Sequence, residues 1–329
     1  MIKKEASIAH PPNKFAPLVS VIIPAFNRAD VICDALESVA EQTYRPIEIV
    51  VVDDGSTDKT AEIVKKWFME KGSVQDLQGI CLIQENSGAP AARNKGFYQS
   101  QGEYLLFFDS DDLLKPNKIQ AAIDAYQSNP NLDLVYSGWI VDNGRSTQVD
   151  LGPNLEDVPY VAEVVLRYLH TSAAVYKRSL LLQVGVWDES LTRSQDRELA
   201  SRVATKVHQA KRVADFDVIY RLCYSTNSIT EKKGREQALA GWRVNMIQRQ
   251  RVRAQPSPLN SEALRFLARR NITEARRAWD SGDGCLVLRI LFSQPEIWHP
   301  LLGRPRAAMR LFLGVLLSRC NTAGKARPA

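Results

Sequence analysis

The chain has 329 residues, 45% hydrophobic and 24% charged, which excludes global disorder and leaves room for one large α/β domain plus an appendage. Its net charge of +6 is uneven: residues 1–230 carry 24 Lys and Arg against 30 Asp and Glu, and residues 231–329 carry 19 against 7. Five scattered cysteines without CxxC or Cys/His ligand spacing argue against a zinc site or a disulfide framework, and no uninterrupted apolar run reaches the roughly 18 residues of a membrane span.

Residues 1–16 read as a flexible tail: Met1 to Phe15 has lysines but no apolar core, so it is not read as a signal peptide. A reducing, cytoplasmic setting is the expectation. Leu18–Phe26 reads as a buried strand and Asp30–Gln42 as a helix. Ile47–Val52 is a second strand, rich in β-branched residues, running into Asp53 and Asp54. Thr60–Glu70 is helical, Ile80–Gln84 a third strand, Ala89–Gln99 a helix of small residues, and Tyr104–Phe108 a fourth strand that meets Asp109. Pro116 is placed to open another helix, and Leu132–Tyr136 is a short strand.

Strands alternating with helices at this spacing imply βαβ units and a mostly parallel sheet. Continuous apolar runs are what strands covered on both faces require. The polar clusters follow the strands, at the edge where open α/β sheets bind ligands. Farther on, Asp142–Pro159 reads as a loop, Val161–Leu169 as a helix, Ser172–Tyr176 as a strand, Arg193–His208 as a helix and Val213–Cys223 as a strand. Residues 17–230 therefore form one expected domain, and residues 231–329 a basic helical extension. Arginines 304, 306 and 310 beside Met309, Leu311, Phe312 and Leu316 suit a membrane-surface helix, or one packed on the rest of the protein.

Four clusters carry chemistry. Asp109, Asp111 and Asp112 follow an apolar strand; carboxylates so close repel unless a cation compensates, and hard oxygen ligands suit Mg²⁺ or Mn²⁺. Asp53 and Asp54 precede Gly55, which permits close backbone approach, although Ser56 or Asp58 also serves as a helix cap. Residues 86–96 place small side chains at a helix start with Arg93 and Lys95 nearby, an arrangement that suits an anion or tight helix–sheet packing. Asp196 opens a later helix, where an acidic residue is also an ordinary dipole partner.

Together the segments VSVIIPAFNR (19–28), VVVDDGSTD (50–58), ENSGAPAARNKG (85–96), LLFFDSDD (105–112), VGVWDES (184–190) and SQDREL (194–199) resemble glycosyltransferase family 2. The resemblance implies an α/β fold of the GT-A type, with a Rossmann-like, mostly parallel sheet flanked by helices. It also implies inverting transfer from a nucleotide-sugar, a UDP-sugar being the expectation, with a divalent metal as cofactor. Pro24, Phe26 and Asn27 would line base and ribose, and Asp54 would hydrogen-bond the base. Arg93 would lie by base or diphosphate, and Asp109 and Ser110 by the donor. Asp109 and Asp111 would serve the metal, with Asp111 in the position that coordinates it. Asp196 falls where the family keeps its catalytic base. The family often has Glu-Asp where this chain has Gln195 and Asp196, so one neighbouring charge is missing. The Gln-x-x-Arg-Trp element of processive synthases is absent, which points to one sugar per encounter.

The expected acceptor is a glycan or lipid-linked hydroxyl in cell-surface polysaccharide or glycolipid assembly, with peripheral membrane contact through the basic tail. Nucleic-acid binding has no recognised motif behind it. The rival from another class is a non-catalytic sugar-nucleotide binder or scaffold, which has no chemical need for both Asp111 and Asp196. His170 shows no ligand spacing and reads as an ordinary side chain, and core packing is the expected role of Trp139, Trp187 and Trp242.

Overall fold

The structure is a computed structural model that describes residues 16–71, 76–155, 160–222, 234–293, 306–310 and 312–313. Its first half is three βα units: β1 (Val19–Ala25), α1 (Ile32–Ala40), β2 (Ile47–Asp53), α2 (Thr60–Lys71), β3 (Leu77–Ile83), α3 (Ala89–Gln99) and then β4 (Tyr104–Phe107). These four strands run parallel in the order β3-β2-β1-β4. All seven residues of β1 and all four of β4 are buried, as covering the sheet on both faces demands. Helix α1 presents Ile32, Ala35, Leu36 and Val39 at helical spacing, each 0% exposed. A large aliphatic side chain buried this fully contributes about 1.5–3 kcal/mol.

The second half continues the sheet with β5 (Leu113–Leu114), α4 (Lys118–Ser128), β6 (Leu134–Asp142), β7 (Thr147–Asp150), α5 (Tyr160–Leu166), β8 (Ala174–Lys177), α6 (Arg178–Val184), α7 (Gln195–Val203) and β9 (Ala210–Arg221). The strand order is β3-β2-β1-β4-β8-β6-β9-β5, with β7 paired to β6 at the side. β8 runs antiparallel to β4 and β6, whereas β6 and β9 pair in parallel over a long ladder, so most of the sheet is parallel. Helices α8 (Arg235–Ala254), α9 (Asn260–Asp280) and α10 (Gly284–Phe292) follow.

Several elements differ from the sequence expectation. Part of the expected loop over 142–159 is strand β7, whose four residues are all exposed and so leave no apolar run to detect. A turn tied by Asn143 Oδ1, which accepts from the amides of Arg145 and Ser146, returns the chain onto β6. The helix expected from Arg193 starts only at Gln195, because Ser194 sits in the left-handed region at φ 57°. Pro116 lies ahead of α4, whose N-cap is Asn117, and its carbonyl accepts the amide of Thr43. The expected tail before Ala16 and the boundary at residue 230 lie outside the described residues.

In the basic amphipathic segment, residues 306–310 and 312–313 are helical. Ala308 is buried against the α8–α10 cluster and Phe312 meets Phe292 edge-on, so this stretch packs on α10; residues 314–317 lie outside the described set. No helix among the described residues is long and apolar enough to cross a membrane.

Candidate active site

The carboxyl ends of β1, β2 and β4 lie side by side and carry the sequence-predicted residues. Past β1, Pro24 lies within the buried strand while Phe26 is 37% exposed. Asn27 adopts φ 51°; its amide donates to Ser56 Oγ and its Oδ1 accepts the amide of Thr57, which ties the loops after β1 and β2 together. Past β2, Asp54 is 3% exposed and already accepts three donors: Gln84 Nε2 at 2.7 Å, and the amides of Ser87 and Gly88 at 2.8 Å each. Asp54 thereby shapes the turn that leads into α3. Gly55 has φ +74°, and a Cβ there would stand 2.9 Å from the Asn86 amide nitrogen, so only glycine fits between the two turns.

The acidic loop is built next. The amide of Phe108 donates to the Ile22 carbonyl, extending the β1–β4 ladder by one step before Asp109 leaves the sheet. Asp109 Oδ1 accepts Arg93 Nη2 at 2.6 Å. Arg93, 7% exposed, lies 4.4 Å over the Trp187 ring, and Trp187 in turn packs edge-on against Phe107. Asn94 on the same helix holds the Trp187 backbone through both N–H and C=O at 2.9 Å. Ser110 is buried. Asp111 faces Arg28 Nη2 at 3.7 Å, while Arg28 Nη1 donates to the carbonyls of Phe26 and Asn27. Asp112 is fully buried, accepts Ser172 Oγ at 3.0 Å, and lies 3.7 Å from His170 Nε2. Arg221 at the end of β9 closes the loop from behind, donating to the Asp111 carbonyl and pairing with Asp34.

Burial, and then the charge of neighbouring Asp109, raise the carboxyl pKa of both Asp111 and Asp112; for Asp112 the shift is large and Asp111 adds to it. The loop thus holds three carboxylates whose mutual repulsion the protein does not fully offset, and a divalent cation would relieve it. Oxygen atoms of Asp109 and Asp112 and a nitrogen of His170 lie within 4.8 Å of one another. The carboxylates fit a hard cation. His170 as arranged does not present a lone pair there, because its Nδ1 accepts the Ser172 amide at 3.2 Å and the proton of the neutral ring is left on Nε2, facing Asp112. Burial pushes the His170 pKa down, which keeps the ring neutral. To ligate through Nε2 it would have to release the Ser172 amide.

Helix α7 brings the last group. Asp196 lies in its first turn, and its Oδ1 accepts the amide of Arg197 at 2.8 Å. A cavity of about 260 Å³ is lined by Arg93 and Asp109 together with Tyr168, His170, Arg193 and Asp196. Burial, then the Asp196 charge, push the Tyr168 hydroxyl well above the usual phenol range. Tyr220, also in the lining, is pushed up to about 12 by burial and the three aspartates of the loop.

Of the sequence-predicted residues, the cavity gathers Arg93, Asp109 and Asp196. Pro24, Phe26, Asn27, Asp54, Ser110 and Asp111 lie at the same sheet edge but outside this lining. Sequence reasoning missed Tyr168, His170, Arg193 and Tyr220 as site residues. For Tyr220 a signal existed: an aromatic side chain at the carboxyl end of a strand on the binding edge. Trp139 is buried with its ring beside those of Tyr168 and His170, and Trp187 is buried behind Arg93.

Helix α7 is fastened to the helices that follow. Glu198 accepts Arg202 Nη2 at 2.5 Å on its own helix and Arg251 Nη2 at 2.7 Å from α8. Arg251 Nη1 also donates to Ser201 Oγ at 2.6 Å. Arg197 is 8% exposed and donates to Gln248 Oε1 on α8 at 3.0 Å.

Known proteins resemble the chain in sequence and in fold. An uncharacterized glycosyltransferase of Rickettsia typhi is 33% identical over 195 residues, 57% of this chain and 58% of that protein, so the chain aligns with little more than half of it. Chondroitin synthase of Escherichia coli is 27% identical over 224 residues, 68% of this chain and 31% of the synthase. The structure of Staphylococcus aureus TarS residues 1–349 in complex with UDP-GlcNAc superposes with a TM-score of 0.67 at 20% identity, covering 92% of both chains, a likeness of fold. The family model for glycosyl transferase family 2 matches residues 20–185, half of the chain, and to that family the chain belongs.

Proposed function

We propose that the chain is an inverting glycosyltransferase that moves one sugar from a nucleotide-sugar, with UDP-sugars first in line, to an acceptor hydroxyl in cell-surface polysaccharide or glycolipid assembly. The observation that carries the reading is the single cavity shared by Arg93, Asp109 and Asp196, residues far apart in sequence that one transfer reaction needs together. The family supports the reaction type, and the chondroitin synthase and the UDP-GlcNAc-bound TarS support the substrate class.

In this reading Phe26 and Asn27 flank the base and ribose, beside the turn that Asp54 orders, and Ser110 lies under the donor. Arg93, held between Trp187 and Asp109, directs its charge at the diphosphate side. Asp109 and Asp111 would hold a divalent Mg²⁺ or Mn²⁺, which supplies positive charge against the departing diphosphate. Asp196 takes the proton of the acceptor hydroxyl as that oxygen attacks C1 from the face opposite the diphosphate, so one displacement inverts C1. General-base help of this kind is worth about 10²–10⁴ in rate. Residues 17–230 form the transferase domain and 231–329 the basic extension. Peripheral membrane contact through that extension remains part of the proposal, resting on its charge.

The test is calorimetric titration with UDP-, GDP- and dTDP-sugars, with Mn²⁺ or EDTA, followed by transfer assays on Asp196→Asn. Metal-dependent binding of one donor, with Asp196→Asn keeping donor affinity and losing about 10²–10⁴ in transfer rate, is the expected result. No binding of any donor would favour a scaffold of the same fold.

A further inference from the structure

The cavity holds more positive charge than a nucleotide-sugar accounts for. Around Asp196, Arg193 and Arg197 line the cavity, and Arg270 on α9 lies within electrostatic reach of both arginines and of Asp196. Arg277 stands about two helical turns farther along α9 and pairs with Glu274 at 2.7 Å. Four guanidiniums therefore face two carboxylates, Asp196 and Glu274.

Their bonding states differ. Arg197 is held by Asn245 and Gln248, and Arg277 by Glu274. Arg193 and Arg270, in contrast, have neither hydrogen-bond acceptor nor ion-pair partner among the described residues, although both side chains are at least half-buried; Arg270 meets only the Phe266 ring, at 5.8 Å. Glu274 on α9 accepts Arg277 through Oε1 only, and its buried Oε2 has no hydrogen-bond partner, so its charge is shared with Arg270 across one turn without a direct bond. A half-buried guanidinium fork left open matches a carboxylate or a phosphate in two parallel bonds.

Position decides which substrate the anion belongs to. The donor's diphosphate is assigned to Arg93, Asp109 and Asp111 at the ends of β1 and β4, whereas Arg193 flanks Asp196, the group that must touch the acceptor hydroxyl. Resting on the proposed transferase reading, we infer that Arg193, which lines the cavity beside Asp196, forms an acceptor subsite for an anionic group with the charge of Arg270 in support, so that the acceptor is an acidic glycan, carrying a carboxylate or a phosphodiester within one residue of the attacked hydroxyl. Arg197, locked by α8, fixes the frame and keeps Asp196 facing the subsite.

The experiment uses the full chain with matched probe pairs at constant ionic strength: methyl β-D-glucuronide against its methyl ester, and glycerol 3-phosphate against glycerol. Affinities are read by ligand-observed NMR for wild type, Arg193→Gln and Arg270→Gln, each checked for an unchanged melting midpoint, and UDP affinity is measured in parallel. The charged member of at least one pair binds wild type about tenfold tighter than its neutral twin, as expected for a charge-assisted bidentate contact. That preference falls to about twofold or less in either variant, while UDP affinity holds; the pair that shows it tells carboxylate from phosphate. Equal binding within both pairs overturns the inference. So does loss of UDP affinity in the arginine variants, which would assign the two arginines to the donor. Failure of wild type to bind any nucleotide would defeat the transferase reading alone, since the probe pairs do not depend on it.

Discussion

Replacing Glu198 with Gln should unfasten α7 from α8. The Glu198 side chain is 5% exposed and receives Arg202 Nη2 at 2.5 Å, Arg202 Nε at 3.1 Å and Arg251 Nη2 at 2.7 Å. Breaking a fully buried pair costs about 3–5 kcal/mol. Both arginine side chains are 20% exposed, so water takes over part of the lost interaction. A cost of about 2–3 kcal/mol is the result. At about 2–4 °C per kcal/mol for a domain of this size, the melting midpoint should fall by roughly 4–12 °C. Differential scanning calorimetry reads the midpoint. Arg202→Met and Arg251→Met, alone and combined with Glu198→Gln, apportion the loss between the bond within α7 and the bond to α8. Because α7 also carries Asp196, kcat in a transfer assay should fall more than donor KM rises. A midpoint shift below about 2 °C would show that the shared carboxylate does not hold the helices together, and would refute the reasoning.

Mn²⁺ should raise the melting midpoint and EDTA should reverse it, because a cation bound to the folded acidic loop adds about 2.7 kcal/mol at a hundred times its Kd; Asp111→Asn should abolish the gain, and an undiminished gain in that variant would remove Asp111 from the metal site. Lys118 is fully buried against Ser137 Oγ and the Ala173 carbonyl, and burial lowers its pKa to about 8. Between pH 8 and about 10.4 the unfolded chain therefore holds the proton that the folded one has shed, so denaturation free energy should rise across that window, by roughly 2–3 kcal/mol, and flatten in Lys118→Met.

The parallel half of the fold was legible because β1, β2 and β4 are continuous apolar runs, α1 is amphipathic and α3 opens on small residues. The bounds expected for α3 coincide with those observed, Ala89–Gln99. β7 and β5 were not legible: one is wholly exposed, and the other is two residues long and exists through its pairing with β9. At the site, Asp109 stood out from local pattern as a carboxylate at a strand end, whereas Asp196, an ordinary dipole partner at a helix start, was singled out only by the family resemblance. What could not be read is how side chains converge. That Asp54 already satisfies three donors, that His170 turns its N–H to Asp112, and that Arg193 and Arg270 lack partners among the described residues all depend on elements brought together from distant parts of the chain. The membrane reading of the basic segment is likewise altered only by a tertiary contact, Phe312 on Phe292.

The acidic loop is anchored at both ends. Phe107 pairs with Ile22 on one side, and Leu113 pairs with Ile219 on the other, leaving five residues to span two strands of the same sheet. The separation of the carboxylates is therefore a property of the sheet and not of whatever occupies the loop. A cation held there, as proposed, would meet a loop whose ends are already fixed and would lose little chain entropy in gathering its ligands. Its binding heat should accordingly reflect dehydration and the release of stored repulsion, with a heat-capacity change near zero, unlike a loop that folds around its ion.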